Sequence, residues 1–183
     1  MLKSFLIEIG ELFLIFILVF LPVRILIFEP FVVIGESMEP NFHNADYLIV
    51  CKICTKLKDP ERGDVIVFIP PVESKKYYIK RVVGLPGEKI VIKNNKIYIF
   101  NSKYKDGFEL KESYLLKNEN FYMEDLEITL GNDEYFVLGD NRNESFDSRK
   151  WNHQLKKDKI IGRVILKLSF LGKFINILRF PNI

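Results

Sequence analysis

The sequence predicts a mainly β protein, an antiparallel β-sheet domain preceded by one N-terminal transmembrane helix. Three observations carry that expectation. An apolar stretch near the N-terminus is uncharged from Leu12 to Val23. Beyond it, short runs of β-branched and aromatic residues alternate with turn residues. Between those runs no helical pattern recurs, which argues against a parallel α/β sheet.

The apolar stretch extends from Phe5 to Phe28, interrupted only by Glu8, Gly10, Glu11, Pro22 and Arg24. A bilayer core needs about 20 helical residues, so this segment spans only if its polar ends reach the interfaces. Glu8 and Glu11 suit one headgroup layer, and Arg24 can snorkel to the other. Pro22 near the far end bends such a helix without abolishing it. A cleaved signal would want a shorter core and small residues at a cut site. Here Arg24-Ile25-Leu26-Ile27-Phe28-Glu29-Pro30 follows instead, so the reading is an uncleaved anchor. Lys3 is the only base ahead of it, and charge alone does not orient the segment.

The β reading rests on Tyr47 to Ile53, Asp64 to Ile69, Tyr77 to Val83, Lys89 to Ile92, Lys96 to Phe100, Tyr135 to Leu138 and Ile160 to Leu168. Asn94-Asn95 is a tight hairpin turn between two of these runs. Pro70-Pro71, Leu85-Pro86-Gly87 and Gly139-Asp140-Asn141 punctuate the others. From Asn101 to Asp133 the pattern weakens into an excursion from the main sheet. The tail from Val164 to Phe180 is apolar but carries Lys167, Lys173 and Arg179. It reads as an edge strand, then a segment lying against membrane or core. The expected organisation is a short tail and anchor over 1–28 and a β-rich domain over 29–183.

Composition narrows the function classes. The chain has 183 residues, 48% of them hydrophobic and 14% aromatic, which is enough for one real core and too apolar for disorder. Its formal net charge is +3, with Lys and Arg spread among acidic residues, so nucleic-acid binding is not suggested. A weak pull toward anionic lipid remains compatible with that charge. Cys51 and Cys54 have the spacing of a redox dithiol or half a zinc site. Only His43 and His153 could complete four zinc ligands, and Cys51 ends the apolar run Tyr47-Leu48-Ile49-Val50. Ordinary buried cysteine is therefore the expectation, with no metal and no disulfide framework.

A Ser-His-Asp arrangement is weakly supported, because there is no Gly-x-Ser-x-Gly elbow and both histidines lie in polar turns. A Ser/Lys pair fits better. Ser37 lies in Gly35-Glu36-Ser37-Met38-Glu39-Pro40, just beyond the apolar wall Phe31-Val32-Val33-Ile34. Taken alone, a loop serine is usually a surface hydrogen-bonding residue. Lys80 lies in Tyr77-Tyr78-Ile79-Lys80-Arg81-Val82-Val83. Strand alternation puts Lys80 on one face with Tyr78 and Val82, and Arg81 on the other. Burial there would lower the amine pKa, as a lysine base requires. A drop from ~10.4 to ~8 corresponds to roughly 3 kcal/mol of disfavoured charge. An edge-strand lysine reaching solvent is the competing reading of this segment.

Four segments in order resemble the sequence boxes of type I signal peptidases. They are Glu29 to Pro40 continuing to Asp46-Tyr47-Leu48-Ile49-Val50, Arg62-Gly63-Asp64-Val65-Ile66-Val67-Phe68, Tyr78 to Glu88, and Gly139 to Arg149. The resemblance implies a membrane-bound serine endopeptidase with Ser37 as nucleophile and Lys80 as general base. Ser145 would orient the lysine, and Asp147 with Arg149 would form a structural ion pair around it. Asp140 and Arg142 are likewise expected to be structural. Some members carry a serine where Gly35 stands, so the oxyanion hole would lean on backbone N–H groups, including that of Ser37. Ala45-Asp46 replaces the common Gly-Asp, and Asn143-Glu144 the usual Asp-Asn.

The same resemblance implies removal of signal peptides from exported preproteins, with cuts after Ala-x-Ala-type sites. Val33, Met38, Phe42 and Ile79 are candidates for the nearer specificity pocket, and Phe31, Leu48 and Ile79 for the farther one. The substrate would lie extended along Phe31–Val33 and Tyr78–Lys80. Expected partners are preprotein signal peptides, the lipid bilayer and the secretion translocon, with no cofactor. The implied location is the bacterial cytoplasmic membrane, single-pass, with the catalytic domain outside. A catalytically silent signal-peptide-binding domain and a narrow-substrate Ser/Lys peptidase are the alternatives.

Overall fold

A computed structural model describes residues 2–115 and 121–169. Helix α1 (Leu2–Ile27) leads directly into strand β1 (Phe28–Val32). Its apolar side chains are left uncovered, with Leu12, Phe13, Leu14, Ile15 and Phe16 all more than half exposed. Among the described residues, no helix is long and apolar enough to cross a membrane. The expected helix is present, but its uncharged stretch falls short of the roughly 20 residues a span requires.

The body is built on a seven-stranded sheet in the order β1-β2-β11-β3-β4-β9-β10, with every neighbouring pair antiparallel. Its members after β1 are β2 (Tyr47–Cys51), β3 (Val65–Phe68), β4 (Tyr78–Gly84), β9 (Glu134–Leu138), β10 (Leu155–Lys156) and β11 (Ile160–Leu168). All seven runs expected from the sequence are strands, so the antiparallel β class holds. Strand β11 corrects one expectation, because it lies between β2 and β3 and not at an edge. Its charges are accommodated by its neighbours: Arg163 pairs with Asp64, and Lys167 donates to the Asn41 carbonyl. The tail from 170 onward lies outside the described residues.

The second sheet has four antiparallel strands in the order β7-β6-β5-β8. Strands β5 (Lys89–Lys93) and β6 (Lys96–Phe100) form the expected hairpin. Asn94 and Asn95 both adopt positive φ, 52° and 61°, as a two-residue turn of this hand requires. Strands β7 (Phe108–Glu109) and β8 (Leu126–Thr129) come from the excursion, which is thus more regular than its composition suggests. Ile90, Ile92, Ile97 and Ile99 pack against Val83, Phe136 and Leu138, joining the two sheets through one buried cluster. A separate cluster containing Phe31, Val33, Met38, Leu48 and Ile79 lies under the first loop of the body.

The cysteines differ from expectation. Cys51 and Cys54 form a disulfide, their Cα atoms 5.5 Å apart. Short helix α2 (Cys54–Leu57) begins immediately after the turn that leaves β2, which folds the second cysteine back on the first.

Candidate active site

Ser37 is held on a loop whose base is closed by two backbone bonds, Val33 N–H to the Asp46 carbonyl and Ala45 N–H to the Val33 carbonyl, both 2.9 Å. Gly35 has φ +101°, a conformation that favours glycine, and its N–H donates to Asn44 Oδ1 at 3.1 Å. Met38 is buried in the cluster below, so the loop is nailed down one residue after Ser37. Ser37 itself is half-buried, and its carbonyl accepts the Asn141 N–H at 3.1 Å.

Lys80 lies in β4 opposite Ile66 of β3. The alternation read from the sequence is realised: Lys80 turns inward at 4% exposure, while Arg81 turns to Asp140. Lys80 Nζ donates to Ser37 Oγ at 2.7 Å and to the Ile79 carbonyl at 2.9 Å. Burial pulls its pKa down to about 8, against the opposing pull of the Asp147 and Asp140 carboxylates. At neutral pH roughly a tenth of such amines are deprotonated, far more than of ordinary lysines.

The loop from Gly139 to Arg149 backs this pair. A Cβ on Gly139 would come within 2.3 Å of Ser145 Oγ and 2.4 Å of the Ser37 carbonyl oxygen, so only glycine lets the two serine segments close together. Gly139 N–H donates to Asp147 Oδ2 at 3.0 Å, and Arg149 grips the same carboxylate through Nε and Nη2, both at 2.8 Å. Burial raises the Asp147 pKa, but the bonds from Arg149 and the Gly139 N–H, with the Ser145 hydroxyl nearby, outweigh it and hold the carboxyl below its usual value. Ser145 Oγ is buried without a hydrogen bond of good geometry. It lies close enough to Asp147 to favour the charged form, and it makes no hydrogen bond to Lys80.

Ser37 and Lys80 open onto a cleft of about 710 Å³, walled by residues 34–37 on one side and 75–80 on the other, with Glu144 and Phe146 completing the rim. Of the proposed pocket residues, Tyr78 and Ile79 line the cleft. Phe31, Val33, Met38 and Leu48 lie in the buried cluster beneath, with Phe42 packed against it. Neither histidine lines the cleft.

A model of the family described as signal peptidase, peptidase S26, matches residues 6–169. The chain belongs to that family. It is 39% identical over 154 residues to signal peptidase I P of Bacillus subtilis subsp. natto, covering 80% of this chain and 79% of that one. Signal peptidase I T of Bacillus subtilis strain 168 is 35% identical over 164 residues, covering 85% and 81%. A crystal structure of a signal peptidase I from Enterococcus faecalis V583 aligns at 34% identity and TM-score 0.48, covering 60% of this chain and 98% of that one. As a signal peptidase I homologue, the protein is a serine endopeptidase.

Several residues around the site were not singled out for it by sequence reasoning. Asn41 Nδ2 donates to Asp140 Oδ2 at 2.8 Å and to the Tyr114 carbonyl at 2.9 Å. The Arg81 guanidinium, bound to Asp140, lies 4.1 Å from the Tyr114 ring centroid. Glu112 accepts two bonds from buried Arg142, at 2.9 and 2.5 Å. Glu112 and Tyr114 belong to the excursion, and only their polarity in an otherwise weak stretch hinted at a buried task.

Proposed function

We propose that this protein cleaves signal peptides from exported preproteins with Ser37 as nucleophile and Lys80 as its general base. The observation that carries this reading is the 2.7 Å approach of Ser37 Oγ to a buried Lys80 whose pKa is pulled down to about 8. With the amine neutral, its lone pair takes the Ser37 proton as Oγ attacks the scissile carbonyl. Among the described residues no acceptor engages the Ser37 N–H, which leaves it for the developing oxyanion. Gly35 N–H is engaged by Asn44, so Gly35 serves loop geometry and not the oxyanion. The ammonium of Lys80 then protonates the leaving amine, and a water deprotonated by Lys80 hydrolyses the acyl-enzyme. Asp147, Arg149 and Ser145 are positioning groups that fix the wall behind Lys80.

The preprotein lies extended along the cleft, and small residues at the first and third positions before the cut fit shallow apolar pockets over Val33, Met38 and Phe42, and over Phe31 and Leu48. Tyr78 and Ile79 supply the wall between them. The helix α1 anchors the enzyme in the cytoplasmic membrane, with the body on the extracytoplasmic side. Its 26 residues extend about 39 Å, and its apolar side chains are exposed. Lipid covers them if Glu8 and Glu11 sit at one interface. Anchoring raises the effective concentration of membrane-borne signal peptides and of the translocon that delivers them. No cofactor takes part.

The test is incubation of the full chain in detergent with a preprotein bearing one Ala-x-Ala site, beside Ser37→Ala, with the products mapped by mass spectrometry. A single cut after the second alanine by the unmodified enzyme alone is expected. Cleavage by Ser37→Ala, or none by a folded unmodified sample, contradicts the proposal.

A further inference from the structure

The cleft carries charge that the proposed reaction does not use. Its two walls converge on Ser37 and Lys80 at one end. Further from the pair, Phe31 meets Tyr77 edge-on, ring centroids 5.4 Å apart. The walls therefore run alongside each other in the same chain direction. Strand β3 pairs with β4 from Tyr78 to Arg81, whereas β9 stops with Leu138 opposite Arg81. One edge of residues 78–80 is thus open to an extended peptide.

Lys75 and Lys76 stand on the lip beyond Tyr77. Lys76 is separated from Lys80 by four residue steps, at most about 13 Å of extended chain. Both lysines are exposed. Lys76 pairs with Glu73 at 3.1 Å across an exposed surface, a contact that a substrate carboxylate can replace at little cost. Lys75 has no ion-pair partner among the described residues. Near the reacting pair the rim carries the opposite sign, from Glu36 beside Ser37 and Glu144 beside Ser145, both exposed.

We infer that Lys75 and Lys76 are specificity-determining residues that select preproteins with an acidic side chain at the fourth or fifth position before the cut. Glu36 and Glu144 disfavour the same charge next to the scissile bond. This follows from the proposed reading in which Ser37 attacks and the arm past Tyr77 holds the residues ahead of the cut. Position decides the effect because each cluster faces a different part of an extended peptide.

Three preprotein-derived peptides with one Ala-x-Ala site test it, carrying Asp, Asn or Lys at the fourth and fifth positions before the cut. The full chain in detergent is expected to cleave the Asp peptide with kcat/KM about threefold above the Asn peptide and about tenfold above the Lys peptide. The ratio should shrink toward one at 1 M salt, where the Debye length falls to about 3 Å. In Lys75→Glu/Lys76→Glu the Asp-to-Lys ratio should invert. Efficient cleavage of all three peptides at equal kcat/KM overturns the inference and leaves Ser37 and Lys80 untouched. An unchanged ratio in the double variant also overturns it. Failure to cut even the Asn peptide would instead strike the proposed reaction, and with it this selectivity.

Discussion

The ion pairs that brace the loop between β9 and β10 are buried, whereas those on the four-stranded sheet face solvent. Arg149 with Asp147 is 10% and 0% exposed, and Arg142 with Glu112 is 0% and 10%. Lys96 with Glu109 is 53% and 47% exposed. Both kinds of pair have good distances, yet only the buried ones can hold geometry. Removing one partner of a buried pair strands a charge away from water, while an exposed charge is simply rehydrated. The active-site wall is therefore built from buried charge, and the far sheet only carries charge. Lys80 is the extreme member of the first group, a buried amine close to a serine hydroxyl.

The largest expected effect comes from Lys80→Arg. It keeps the charge but cannot deprotonate at working pH, so kcat/KM should fall by about 10² to 10⁴ in a peptide-cleavage assay. Glu112→Ala, far away in sequence, should strand Arg142 and lower unfolding stability by about 3–5 kcal/mol in urea titration. Lys80→Met should do the reverse. With the folded pKa near 8 and the ordinary value 10.5, charging Lys80 in the fold costs about 3 kcal/mol below pH 8. The variant's melting advantage should be full there and fade as pH rises from 8 toward 10.5. Ser145→Ala is expected to slow turnover about tenfold without unfolding the protein, since it loosens Asp147 and removes no reacting group. At the small end, Lys96→Ala should leave both melting temperature and turnover unchanged. A large effect there would erase the distinction between the two regions.

The sequence revealed the seven main strands because each is a short β-branched or aromatic run, most of them closed by Pro, Gly or Asn. It also revealed the inward turn of Lys80, since strand alternation is a local property. Strands β7 and β10 escaped notice because two residues cannot display a period, and β8 because its four residues include Glu127 and lie in a polar stretch. The placement of β11 between β2 and β3 was hidden by Arg163 and Lys167, whose partners Asp64 and Asn41 lie far away in sequence. The same holds for Glu112 and Tyr114: nothing near them in the chain indicates Arg142 or Arg81. Gly139 read as turn punctuation, while its actual constraint is the approach of Ser37 and Ser145 from both sides. The Cys51–Cys54 pairing depended on the turn into α2, and the spacing alone suited a thiol pair equally well.

The central claim is that a buried, neutral Lys80 activates Ser37. The pH dependence of kcat/KM on a peptide whose own groups do not titrate between pH 6 and 10 tests it most directly. The amine must lose its proton to act, so the rate should climb with pH along a limb centred near 8. A rate that is flat across this range, or a limb centred above 10 where an ordinary lysine titrates, would contradict the assignment of Lys80 as the base.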